Sequence, residues 1–318
     1  MGQNIILPSA AVDAAVVAEA SDYESTDCPA CCTTRGDTVF EETCEGVSIQ
    51  LVICAGCGLG YSNPRPRESF KLRRYEAWAN RARPWQTEAH YDHRQQLRHF
   101  HLYRRVMEII AGQMPEGRIL DVGVGGGLFL IFAGVYASDD NTGINSRYRA
   151  DGVAFDPHEC ALASRVSGAP VMMISDLGSL PEASYDAVTL LNVLEHVNRP
   201  LELLVALRRV LRPEGLLIVV SPNNELAFWR LKHRVGPRAK SFACHEHILH
   251  FRKSSLTSLL CRTGFGRVRY LSPVTAGSYG SIVRPPVREW LKHGACWTLD
   301  RLTAGRCYLY SEILAVAE

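Results

Sequence analysis

From residue 117 onward, short apolar runs alternate with stretches of helical spacing, a pattern that predicts a parallel sheet with crossover helices. Seven strands are expected: Arg118–Val122, Gly152–Phe155, Val171–Ile174, Ala187–Leu191, Leu216–Val220, Val268–Leu271 and Tyr308–Val316. Leu211–Gly215 reads as a helix stop and turn before the fifth of these, and Tyr136–Ala150 as an inserted loop. Upstream, Glu68–Tyr75 and His99–Ile110 place apolar residues on one helical face. The stretch Cys28–Pro66 is short, β-branched and punctuated by cysteines, so it needs a staple to hold a core. The expected organisation is an N-terminal arm (1–24), a small stapled module (25–66), a helical connector or lid (67–116) and an α/β domain (117–318).

A chain of 318 residues that is 47% hydrophobic can bury a sizeable core, and Lys+Arg 35 against Asp+Glu 33 disfavours nucleic acid or an anionic membrane as the main partner. The one basic stretch (Arg65, Arg67, Lys71, Arg73, Arg74, Arg81, Arg83) reads as a solvated helix face. No basic segment followed by a long apolar core opens the chain and no window is long enough to span a bilayer, so the expectation is a cytoplasmic protein without a membrane partner. There the 11 cysteines stay reduced, and regular spacing among them points to metal. Cys28-x-x-Cys31 and Cys54-x-x-Cys57, with 22 residues between the pairs, have the spacing of a closed four-thiolate Zn²⁺ site of structural type. Cys32 and Cys44 are neighbouring alternatives in that ligand set.

The first strand runs into Asp121-Val122-Gly123-Val124-Gly125-Gly126-Gly127, a glycine turn opening a helix, which lets backbone N–H groups approach a ligand closely. The dinucleotide pattern G-x-G-x-x-G fails because its third glycine falls on Leu128, whereas D-x-G-x-G-x-G fits through Asp121, Gly123, Gly125 and Gly127. Asp156 closes the second strand, where a carboxylate can accept from ribose hydroxyls. This order of motifs resembles class I S-adenosylmethionine-dependent methyltransferases. Ser175-Asp176-Leu177 and Ser184-Tyr185-Asp186 are similar to that family's third and fourth motifs. Asn192-Val193-Leu194-Glu195-His196-Val197 with Arg199-Pro200 resembles its "LEHV-x-x-P" signature. Cys57–Pro66 resembles the "CGL-x-Y-x-NPRP" linker of bacterial methyltransferases that carry an N-terminal zinc module.

The resemblance implies a Rossmann-like α/β fold, a seven-stranded sheet with helices on both faces, plus a small N-terminal zinc-binding module. It implies S-adenosylmethionine as cofactor and S-adenosylhomocysteine as product, held by Asp121, Gly123, Gly125, Gly127, Asp156 at the ribose, Asp176 and Leu177 at the adenine, and Asn192. Asp121 either accepts from the cofactor's ammonium or anchors the turn. Structural Zn²⁺ would sit on Cys28, Cys31, Cys54 and Cys57.

After the fifth strand, Cys244–Arg252 offers His247 and His250, and "H-I-L-H-F" is similar to a family segment whose first histidine lies near the active site. His247, His196 and His250 are the candidate catalytic residues, each with a packing role as the alternative, and the Cys244–His250 cluster could instead hold a second metal. No N/D-P-P-Y/F motif follows the fourth strand, which argues against an exocyclic-amine nucleic acid methylase. The expected activity is O- or C-methylation of a small-molecule acceptor in specialised biosynthesis. RNA methylation with the zinc module gripping RNA, and a non-catalytic cofactor-binding scaffold, are the competing readings, and the oligomeric state is open.

Overall fold

Alternation along the last strand shows how the main sheet is covered. In the computed structural model, which describes residues 18–79, 93–136, 147–225, 244–273, 312–318 and positions 296, 298, 302, 303 and 310, Ile313, Ala315 and Ala317 join one buried cluster while Leu314 and Val316 join another. A strand whose two faces both enter apolar clusters belongs to a sheet with cover on both sides.

That sheet is built from β6 (Gly117–Val122), β7 (Tyr148–Ala154), β8 (Val171–Met173), β9 (Tyr185–Leu191), β10 (Leu211–Pro222), β12 (Val268–Leu271) and β13 (Glu312–Ala317). Their spatial order is β12-β13-β10-β9-β6-β7-β8. From β10 to β8 neighbours are parallel, and β13 runs antiparallel between β10 and β12. This is the seven-stranded, Rossmann-like class I arrangement that the sequence resembles. Strand order reverses between β6 and β9, and the carboxyl ends of strands flanking such a switch point form a ligand crevice.

The helices follow their apolar spacing. Helix α2 (His93–Ala111) buries Leu102, Val106 and Ile110 at four-residue intervals against Ile119 and Phe129, the latter on α3 (Leu128–Tyr136). Helix α4 (Pro157–Ser167) starts with proline at its first position and stops at Gly168 in the left-handed conformation. Helix α5 (Pro200–Val210) buries Leu203, Leu204, Leu207 and Val210, and α6 (Lys253–Arg262) buries Leu256, Leu259 and Leu260. Two local expectations shift: Leu211–Gly215 already belongs to β10, with a register break before Leu216, and Tyr148–Ala150 belong to β7. The expected arm up to residue 17, the loop over 137–146 and residues 274–295 lie outside the described residues.

The N-terminal part is a second sheet. β2 (Gly36–Cys44) and β3 (Val47–Cys54) form a hairpin turning at Glu45-Gly46, both with positive φ, and β4 (Gly60–Asn63) pairs antiparallel with β3. The fourth strand comes from far along the chain: β11 (Leu249–His250) pairs with β4, Leu249 opposite Tyr61 and His250 opposite Gly60. Ser62 secures the same segment, its N–H donating to Ile248 O at 3.0 Å and its hydroxyl to Cys244 O at 2.7 Å. A short β1 (Tyr23–Glu24) pairs with β5 (Arg65–Pro66), and α1 (Glu68–Ala79) follows. Cys28, Val52, Leu59 and Tyr61 share one buried cluster with Leu190, Leu194, Ile248 and Phe251, so the two sheets have a common core.

Candidate active site

Gly123, Gly125 and Gly127, between β6 and α3, adopt φ of 81°, 51° and 79°, where L side chains are strained. A Cβ on Gly123 would lie 2.3 Å from Val193 Cγ2, and one on Gly127 would lie 3.0 Å from the Ala163 backbone in α4. At Gly125 nothing lies within 4 Å. Two glycines therefore close the turn against protein, while the middle one leaves bare backbone facing open space. Beneath the turn, buried Asp121 accepts a 2.6 Å bond from Thr189 Oγ1 on β9. Burial pushes the Asp121 carboxyl up to about 7, with the Thr189 bond acting in the opposite direction.

The other strand ends bring up the remaining sequence-predicted groups. Asp156, buried after β7, accepts from His158 N (2.9 Å) and Glu159 N (3.0 Å) through one oxygen, Oδ1, and so caps α4. Asp176 is exposed in the turn Ile174–Ser179 after β8, where Ser179 Oγ donates to its carbonyl. Leu177 in the same turn is buried and its carbonyl accepts from Arg209 Nη2 at 3.1 Å. Asn192 follows β9 at φ 58°, its N–H donating to Val220 O at 2.8 Å.

After Asn192 comes the turn Leu194–His196, and here the structure brings together groups from three segments. His196 Nδ1 lies 2.8 Å from Glu246 O, and the His196 and His247 rings meet edge to face at 4.8 Å between centroids. A carbonyl only accepts, so His196 Nδ1 carries the proton and Nε2 keeps its lone pair. Burial brings His196 down to about 4 and His247 well below the usual imidazole range, so both are neutral at pH 7. Glu195, which precedes His196 in the motif, is buried beside them; one ligand atom from each of Glu195, His196 and His247 lies within 4.8 Å of the others. Among the described residues neither Glu195 oxygen has a well-formed hydrogen bond, and burial pushes its carboxyl up to about 8 against the weaker opposing pull of its own backbone N–H and of Ser221. His250 is not part of this cluster: it is buried in β11 with Nε2 4.0 Å from Cys244 Sγ, and burial brings it to about 4.

Sequence reasoning assigned no role to Thr189, Glu195 or Lys71. Lys71 on α1 is one of the residues read as a solvated basic face, yet its Nζ donates to His196 O at 2.6 Å and burial brings its pKa down to about 8. Others in that stretch are likewise engaged. Arg65 donates to Asn198 O and pairs with Glu24, Arg73 pairs with Asp22, and Arg74 pairs with Glu45. Opposite charges brought up by the fold at long sequence separation hold this face, and helical spacing alone carries no sign of them.

The cysteine pairs form two matching turns. Cys32 N donates to Cys28 O and Gly58 N to Cys54 O; one residue on, Cys28 N donates to Thr33 O and Cys54 N to Leu59 O. Cys32 and Gly58 occupy the equivalent left-handed position, at φ 57° and 72°. Cys28 Sγ lies 3.5 Å from Cys57 Sγ and Cys31 Sγ 3.4 Å from Cys54 Sγ, and all four sulfurs fall within 4.8 Å of one another, as the corners of a Zn–S₄ tetrahedron do. Burial pushes the Cys28 thiol up and Cys57 up to about 11, while at Cys31 hydrogen bonds from Thr33 outweigh burial and bring the thiol down to about 6; four thiolate charges within 4.8 Å of one another repel, and a cation among them offsets that repulsion. Cys32 is exposed and Cys44 stands outside the cluster.

Residues 90–269, more than half of the chain, match the family described as "Methyltransferase domain". The chain belongs to that family. The methyltransferase match spans β6 through α6 and includes the glycine turn, the Leu194–His196 turn and His247. A ubiquinone biosynthesis O-methyltransferase of Xanthomonas campestris pv. campestris (strain B100) is 29% identical over 123 residues, covering 37% of this chain and 48% of that protein. The chain thus spans about half the length of the relatives it matches. Among solved structures, a methyltransferase in complex with the Haloferax volcanii Trm112 activator is 14% identical, with 76% of this chain and 96% of that chain covered at a TM-score of 0.45. A possible histamine N-methyltransferase of Thermotoga maritima is 19% identical, with 70% and 94% covered at 0.42. Neither structure bears on what this methyltransferase domain acts upon. Among the described residues no helix is long and apolar enough to cross a membrane.

Proposed function

We propose that the chain is an S-adenosylmethionine-dependent methyltransferase acting on an oxygen or carbon of a small molecule, with a structural Zn²⁺ on Cys28, Cys31, Cys54 and Cys57. What supports this reading is that the glycine turn follows β6 and the turn carrying His196 follows its neighbour β9, with Val193 packed against the Gly123 position and His247 against His196. Gly123, Gly125 and Gly127 with Asp121 would hold the amino-acid end of the cofactor, Asp156 the ribose through the oxygen left over from capping, Asp176 and Leu177 the adenine, and Asn192 the flank of the crevice. When bound, S-adenosylmethionine supplies an electrophilic methyl group on a sulfonium sulfur.

The rest is positioning and proton handling by the chain. A hydroxyl or acidic carbon must lose a proton as it becomes nucleophilic, and a positioned base contributes roughly 10²–10⁴-fold. His196 Nε2, with its lone pair preserved by the Nδ1 contact to Glu246 O, is the first candidate for that base, and His247 faces it. His250 would act by holding β11 in register, one step from the chemistry. The near-balanced charge supports a small acceptor over RNA. The relative's printed name, O-methyltransferase, favours oxygen as the acceptor atom. In this reading the parts are the arm 1–24, the zinc module 25–66, the connector 67–116 and the methyltransferase domain 117–318, with β11 lent by the last to the sheet of the second.

The test is methyl transfer from labelled S-adenosylmethionine to a panel of phenols, catechols and enolisable acids beside total RNA. Label in the small molecules is expected. His196→Ala and His247→Ala should each lower turnover by about 10²-fold or more while S-adenosylhomocysteine affinity stays within about twofold. Label in RNA alone, or unchanged turnover in both variants, defeats the proposal.

A further inference from the structure

We infer that Lys71 is a positioning residue for His196: by holding the carbonyl of that residue it aims the imidazole. This rests on the reading of His196 as the base and adds to it a side chain delivered from the N-terminal part of the molecule.

His196 closes a single turn, Leu194–His196, whose own bonds run from His196 N to Val193 O at 2.9 Å and from Val197 N to Leu194 O at 3.3 Å. Bonds of this tight kind have poorer geometry than those of an α-helix, and the last carbonyls of a helical turn find no partner inside it. So small a turn does not by itself fix an imidazole to the ~0.5 Å that a reacting group needs. The fixing comes from two other segments.

Residues 65–71 supply the first. Arg65 Nη1 donates to Asn198 O at 2.7 Å, buried Asn198 returns a bond from Nδ2 to Pro66 O at 3.0 Å, and Lys71 Nζ donates to His196 O at 2.6 Å. Residues 196–198 are thus clasped by three bonds. From another part of the chain, Glu246 O meets His196 Nδ1 at 2.8 Å, in the segment that Ser62 and β4 secure. With the main chain held at the carbonyl and the ring held at Nδ1, the direction of Nε2 is set.

Lys71 is itself firmly placed. Its neighbour Phe70 is fully buried with Tyr23, Ile49 and Leu51, its ring 5.8 Å from that of Tyr23, and Arg74 pairs with Glu45 at 3.2 Å. Helix α1 cannot turn about its axis without drawing Phe70 out of that core. An ammonium is a costly way to satisfy a carbonyl, since burial alone brings Lys71 down to about 8, but a charged donor makes a bond roughly twice as strong as a neutral one. Its charge also joins burial in keeping a second proton off the His196 ring, against the opposite pull of Glu246 O.

Lys71→Met keeps the stem of the side chain and removes the donor, and because it takes away a buried ammonium the ligand-free protein should melt close to wild type. Amide exchange of the full chain needs no acceptor: over 194–198 it should rise about tenfold in Lys71→Met, while 119–122 and 187–190 stay as protected as in wild type. With whichever phenol, catechol or enolisable acid of the panel above takes most label, Lys71→Met should lower kcat about tenfold while KM for that acceptor and S-adenosylhomocysteine affinity stay within about twofold. In a His196→Ala background the same substitution should change kcat by less than about twofold, since no imidazole is left to aim. Unchanged exchange over 194–198, unchanged kcat, or an equal loss in both backgrounds overturns the assignment and leaves His196 standing as the base. Wild-type turnover in His196→Ala defeats the base reading and the assignment with it.

Discussion

Gly123 and Gly125 share a backbone conformation, and a methyl group added to each should report different things. Gly123→Ala meets Val193 Cγ2 at 2.3 Å and carries the left-handed strain as well, so a loss of about 2–4 kcal/mol is expected in urea unfolding. Gly125→Ala meets nothing, and about 1–2 kcal/mol of strain is all it should cost the ligand-free protein. Its S-adenosylhomocysteine affinity should nonetheless fall by about tenfold or more, because the methyl fills the face left bare for a ligand; equal affinity would place the cofactor elsewhere. The positions of these glycines were legible in the sequence, since left-handed backbone after a strand selects glycine whatever the surroundings. Asp156 was legible as a strand-end carboxylate, but its cap on α4 emerges only when His158 and Glu159 turn into a helix. Glu195 was written in the LEHV motif as plainly as His196, yet nothing in a residue string says that this carboxylate will be almost fully buried.

Among the elements, the four cysteines were legible because ligand spacing is a local property, whereas the strand they help to seat was not. β11 is two residues long, too short for alternation to show, and its partner β4 lies nearly two hundred positions upstream. A strong zinc chelator should remove one ion per chain from freshly purified protein. Exchange of the amides in 60–63 and 249–250 should then rise together while β6 and β9 stay protected. Independent behaviour of the two segments would contradict the shared sheet. Arg252 offers a finer cut at the same joint, for its Nη2 donates to Gly58 O at 2.9 Å, tying the second cysteine turn to the residue that caps α6.

At the scale of the molecule, buried titratable groups predict a stability maximum near pH 6.5. Glu195 and Asp121 have folded pKa values of about 8 and about 7 against ordinary values of 4.5 and 3.8, so their contribution is full below the ordinary values and is lost as pH rises through the folded ones. His196 and His250, at about 4 against 6.5, and His247, held well below 6.5 by burial, contribute fully above pH 6.5 and lose that contribution as pH falls, three groups outweighing the two carboxyls that act in the opposite sense below pH 6.5. Thermal melts from pH 4 to 9 should fall off on both sides, and Glu195→Gln should flatten the alkaline limb; an unchanged limb would show that the carboxylate ionises at its ordinary pH. The fold class and the count of seven strands were legible from the order of motifs, because each of the first four strands runs into a motif residue of its own. How the N-terminal sheet joins those strands was not, because that joint is made of pairings between distant segments. The pairing of Leu249 with Tyr61 spans 249 − 61 = 188 residues, and it sets an order of events during synthesis. All four cysteines leave the ribosome long before β11, so β4 must wait with a bare edge until the methyltransferase strands through β10 have been made. Nascent chains arrested between residues 70 and 240 should therefore display that edge to chaperones or to one another, and production of the first 66 residues alone should give an aggregation-prone fragment even when zinc is supplied.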